Sequence, residues 1–80
     1  MLTLEEFMEM RHTDCSPIDI DLHENGRYLV ALACIGEQNP NGEINEYLFD
    51  KYKHHRVIGW YIDDFYDTDV AAVLNIILEP

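Results

Sequence analysis

Positive charge is what this sequence has least of. Five Lys and Arg stand against 16 Asp and Glu, a formal net charge of −11 with His neutral. A field of that sign repels nucleic-acid phosphates and anionic membranes, and it speeds encounter with basic surfaces. Direct nucleic-acid binding and membrane association are therefore not expected. Cysteine is scarce as well, Cys15 and Cys34 being the whole supply, too few for a disulfide-stapled scaffold. The hairpin register argued below sets them about 10 Å apart, beyond the reach of a bridge, so two free thiols are expected. The single serine, Ser16, precedes a proline. Neither cysteine sits in a recognisable setting beside a partnered His, and no glycine-rich phosphate loop occurs. The chain is accordingly read as non-enzymatic. No run reaches the roughly 18 apolar residues that a membrane helix needs. The opening MLTLEEFMEM lacks the basic and long apolar segments of a signal peptide, and a cytoplasmic location is the expectation.

What is present suits a folded protein. Eighty residues at 48% apolar fit one small globular domain over 1–80, burying about 60–65% of its unfolded surface. Thr3-Leu4-Glu5-Glu6 is a capping box, with Leu2 and Phe7 placed as a hydrophobic staple. It predicts a short helix over Leu4–Met10, with Glu5, Glu6 and Glu9 suited to the positive end of its dipole. His12–Pro17 reads as a loop. Ile18–His23 alternates strictly, as a strand with one buried face does. Glu24-Asn25-Gly26-Arg27 turns the chain, and Tyr28–Ile35 returns. A two-residue Asn-Gly turn would set Ile18, Ile20 and Leu22 opposite Ala33, Ala31 and Leu29. A three-residue loop sets them opposite Cys34, Leu32 and Val30. The second register gathers the larger side chains on one face and is the one expected, since a slip of one residue reverses every side chain.

Glu37–Gly42 is turn chemistry, and Glu43–Arg56 predicts a second helix, with Ile44, Leu48 and Tyr52 as its stripe. Lys51, Lys53, His54, His55 and Arg56 crowd its end, which favours the dipole there and makes the molecule electrically lopsided. Val57–Asp63 predicts a third strand with Ile58, Trp60 and Ile62 on one side. Val70–Leu78 is ambiguous: Asp67, Thr68 or Asp69 could cap a helix, yet β-branched residues on both alternating faces favour a central strand. The expected fold is α+β, a four-stranded, mainly antiparallel sheet with two helices on one face in the order α-β-β-α-β-β. Its expected core is Leu4, Phe7, Ile18, Ile20, Leu22, Val30, Leu32, Leu48, Ile58, Trp60, Leu74 and Ile76.

Four aspartates, Asp63, Asp64, Asp67 and Asp69, fall within seven residues with no Lys or Arg among them. Their spacing fails the calcium-loop template, lacking its glycine and its closing glutamate, and a solvated turn explains them better. His12, Cys15, His23, Cys34, His54 and His55 lack a second closely spaced pair to complete a zinc site. No metal or cofactor is expected. The aspartates do bracket Phe65 and Tyr66, and apolar anchors in an acidic ring suit a basic groove. Asp63, Asp64, Phe65, Tyr66, Asp67 and Asp69 are the candidate partner-binding residues, unless Phe65 and Tyr66 fold back into the core. Asp19, Asp21 and Glu24 form a secondary acidic face.

The capped helix, Asn-Gly hairpin, polar loop, helix and strand ending V-I-G-W-Y-I-D together resemble small acidic accessory proteins of phages and mobile elements, of the anti-CRISPR and antirestriction kind. The resemblance covers the whole chain in size, charge and element order, and it carries no functional residues over. It implies an inhibitor that mimics nucleic acid and occupies a basic nucleic-acid-binding surface of a partner protein. The alternative is an accessory or self-associating domain, such as a homodimer, whose acidity is incidental.

Overall fold

The capping box forms as its spacing requires. In a computed structural model that describes residues 2–10, 18–64 and 72–80, the Thr3 hydroxyl accepts from the Glu6 N–H at 3.2 Å and the Glu6 carboxylate accepts from the Thr3 N–H at 3.1 Å. These bonds satisfy donors that a helix start leaves orphaned, and α1 runs Leu4–Glu9. Leu2 stays exposed and acts instead through its backbone, its carbonyl accepting from Val57 N–H at 2.7 Å.

β1 (Asp19–Glu24) and β2 (Arg27–Ala33) form the expected hairpin, but its register is neither of the two considered. The turn is the two-residue one: Glu24 faces Arg27, and both Asn25 (φ 53°) and Gly26 (φ 74°) are left-handed. Two irregularities then shift β2 along β1, giving Leu22↔Val30 as expected and Ile20↔Ala33 where Leu32 was expected. Asn-Gly meets the left-handed demand of a tight turn at low cost. The bulges keep the large residues inward, and Ile20, Leu22 and Leu32 are all buried.

The second helix is shorter than its periodicity suggests. α2 spans Glu46–Tyr52, not Glu43–Arg56, because side chains and loops claim the backbone at both ends. Asn39 binds Glu43 by its N–H (2.9 Å) and its carbonyl (2.9 Å). Asn45 caps the helix through Leu48 N–H and gives its own N–H to the Leu32 carbonyl at 2.9 Å. At the other end the His55 carbonyl accepts from Leu4 and the Arg56 carbonyl from Glu79, which pulls the chain out of the helix.

β3 (Val57–Asp64) and β4 (Ala72–Leu78) complete a mixed sheet ordered β2-β1-β4-β3. β4 is a strand, as its β-branched content argues. It lies centrally, parallel to β1 and antiparallel to β3, and it is buried on both faces. Both helices cover one face: Leu4 joins Ile20, Leu22, Leu32, Leu74, Ile76 and Leu78 in the core, with Phe7, Leu48 and Tyr52 packed against it. Ala33, Val57, Val73 and Leu78 are buried beyond the expected set. Ile58 and Trp60 are the clear departures, 49% and 57% exposed. Alternation tells which side of a strand a residue takes, not whether the strand lies in the middle of the sheet. Among the described residues, no helix is long and apolar enough to cross a membrane.

Candidate protein-docking site

Among the described residues β3 is an outer strand of the sheet, with a neighbouring strand on one flank only. By register Trp60 lies opposite Ile76 and Ile62 opposite Leu74, which places both on the helix-covered side. Ile62 is 54% exposed and Tyr61, on the other face, is exposed as well. Phe7, Met10 and Trp60 wall a groove of about 340 Å³ with Leu74 beneath them. It continues as a second hollow of about 360 Å³ past Leu2, Val57 and Ile58. Exposed apolar side chains gathered along one sheet edge, rather than scattered singly, make this the candidate interaction surface.

The acidic residues divide between places. Asp63 is exposed near the end of β3 and Asp64 holds the last position of that strand. Phe65, Tyr66, Asp67 and Asp69 lie outside the described residues, as do His12 and Cys15. Asp19 and Asp21 alternate with Ile20 and Leu22 and so take the sheet face away from the helices. Glu24 does not join them: it sits in register with Leu78, on the side of Leu22. Asp19 is already engaged, its Oδ1 accepting from Ile35 N–H at 2.8 Å at the end of β2.

On that face a polar chain crosses three strands. Asn75, 3% exposed, donates from Nδ2 to Asp63 Oδ2 at 3.1 Å, and its Oδ1 lies 2.7 Å from His23 Nε2. Tyr28 and Tyr61 flank the imidazole, with ring centroids 5.7 and 5.9 Å away. Burial raises the Asp21 carboxyl above the usual carboxylate range; Asp19 and Asp63 push the same way, against the pull of His23. The Tyr28 hydroxyl is raised chiefly by burial, then by Asp21 and Cys34. The alternation of β1 announces Asp19, Asp21 and His23. Asn75 was legible only as a break in an apolar run, although a lone amide in a central strand has to find partners.

The cations at the end of α2 have local partners. Lys53 Nζ lies 2.8 Å from Asp50 and Arg56 Nε 4.0 Å from Glu79, while Lys51 sits over the Tyr52 ring at 5.3 Å. The Lys53 hydrogen bond raises its own pKa and lowers that of Asp50. Cys34 is a free, exposed thiol. Among the described residues, no three His, Cys, Asp or Glu side chains gather as a metal site would need. Compared with protein-family models, with curated proteins and with solved structures, the chain matches none.

Proposed function

We propose that this chain is a small acidic inhibitor that binds a protein rather than nucleic acid, docking on a basic, nucleic-acid-binding surface of a host defence or DNA-processing protein. The observation that carries the reading is the outer strand: Ile58, Trp60 and Ile62 are exposed along β3 and Tyr61 is exposed on its other face, in a chain of net charge −11. Aromatic and aliphatic anchors supply the contact energy of an interface, and the surrounding acids steer a basic partner and set the on-rate. Asp63 and Asp64 close the same strand in sequence, Asp63 on the face of Tyr61, and Phe65, Tyr66, Asp67 and Asp69 follow them in sequence as further partner-binding residues. Its place of action is the cytoplasm of the producing or host cell.

The test starts by capturing a partner on the immobilised protein and purifying it. Association is then followed across a salt series, with nucleic acid as competitor. Mimicry requires that the on-rate fall steeply with salt and that nucleic acid displace the chain. Salt-insensitive binding that nucleic acid leaves untouched would refute it and favour an accessory domain with incidental acidity.

A further inference from the structure

The groove beside α1 and the outer edge of β3 adjoin, and we propose that together they receive an extended, basic segment of the partner as an added strand. This rests on the docking reading above and specifies its geometry. Pairing with β4 uses one set of alternate backbone groups of β3; the other set points outward from the sheet. The protein's own N-terminal segment shows how that edge pairs: Thr3 bridges Arg56 in antiparallel fashion and the Leu2 carbonyl accepts from Val57 N–H. Beyond Val57, among the described residues, the outer edge has no strand against it.

Natural edges are guarded by charge, proline or marked irregularity. β3 has one register shift, at its start between Val57 and Gly59, and then Gly59-Trp60-Tyr61-Ile62 carries neither charge nor proline. A strand laid there presents alternate side chains to each face. Those on the helix side reach Trp60, Ile62 and the hollow between Phe7, Met10 and Leu74. Charge selects the occupant. α1 and β3 carry Glu5, Glu6, Glu9, Asp63 and Asp64 and no Lys or Arg within their bounds. A second copy would bring the same acids and a further −11, whereas a segment alternating basic and apolar residues answers both the groove and the field.

The probe is a short end-capped peptide alternating Lys and Val. Beside it run an analogue N-methylated at every second amide, which cannot pair as a strand, and an Asp-Val counterpart. Binding is read by calorimetry, by the emission of Trp60, the single tryptophan, and by hydrogen exchange of β3 amides. The Lys-Val peptide should bind, shift the emission and slow exchange along β3, with the methylated analogue weaker by about tenfold or more. Trp60→Ala, and Ile62→Lys as a charge placed on the edge, should each weaken binding with unchanged circular dichroism. Equal binding of the methylated and parent peptides overturns strand addition while leaving the acidic docking surface standing. Failure of both Lys-Val peptides at low salt sinks that surface too. An Asp-Val peptide that binds equally well, or a dimer lost on Ile62→Lys, overturns the basic occupant.

Discussion

His23 and Asn75 are joined side chain to side chain across the parallel β1–β4 pair, with Nε2 of His23 2.7 Å from Oδ1 of Asn75. Asn75 gives its amide hydrogens to Asp63 at 3.1 Å and to the Val73 carbonyl at 3.4 Å. Its oxygen can only accept, so in this arrangement the facing Nε2 of His23 donates. Asn75→Ala strips a partner from His23 and from Asp63 and leaves a space in the central strand. The expected cost is about 1–2 kcal/mol, mostly from half-buried His23 and the space left, since water can replace the amide at exposed Asp63. Urea unfolding measures it, and a change near zero would show that solvent replaces the amide at both partners.

Asp21 gives the face away from the helices a pH dependence of definite sign. Its carboxyl is raised in the folded protein, first by burial and then by Asp19 and Asp63, with His23 opposing. The folded state therefore binds this proton more tightly than the unfolded chain does. Its contribution makes stability fall as pH rises through the window between the ordinary Asp value and the raised one. Asp21→Asn should relieve that loss: the variant gains on the wild type above the window, and the gain shrinks as pH drops below it. Denaturation midpoints across an acid-to-neutral series decide the matter. A gain independent of pH would mean that packing, not ionisation, sets the effect.

Most of the fold was legible because local chemistry and periodicity agree. Thr3 and Glu6 start a helix wherever they stand three apart, and Asn25-Gly26 turns a hairpin without help from afar. The β-branched run toward Leu78 reads as a strand by its own composition. The misses came from tertiary competition. Nothing local in Glu43–Arg56 reveals that Asn39 claims the Glu43 backbone or that Leu4 claims the His55 carbonyl. Alternation alone points to a hairpin turn one residue longer, because bulges that reset the register leave no mark in it. Alternation with Ile58 and Ile62 points Trp60 toward the core. Only the strand order, which sets β4 between β1 and β3, shows it to be surface.

The turn itself offers a clean backbone test. A Cβ built on Gly26 meets nothing within 4 Å, yet φ there is +74°. Gly26→Ala should therefore cost about 1–2 kcal/mol from left-handed strain alone, without a steric clash. Equilibrium unfolding checks the figure. A much larger loss would indicate that the hairpin had changed register to relax the turn.

The last expectation sets one apolar residue against another. Leu22 is completely buried between the strands and the helices, so Leu22→Ala should cost about 2–5 kcal/mol through lost transfer energy and the cavity left behind. Trp60 is far larger, but more than half of it faces solvent and it stands beside a groove rather than inside the core. Trp60→Ala should cost about 1 kcal/mol or less, with the fold intact. The same replacement should weaken partner binding by about 2 kcal/mol or more, as truncating an interface anchor does. Denaturant midpoints and partner calorimetry on the two variants separate these roles. If Trp60→Ala unfolds the protein as readily as Leu22→Ala does, the β3 edge is a piece of the core and the docking surface fails with it.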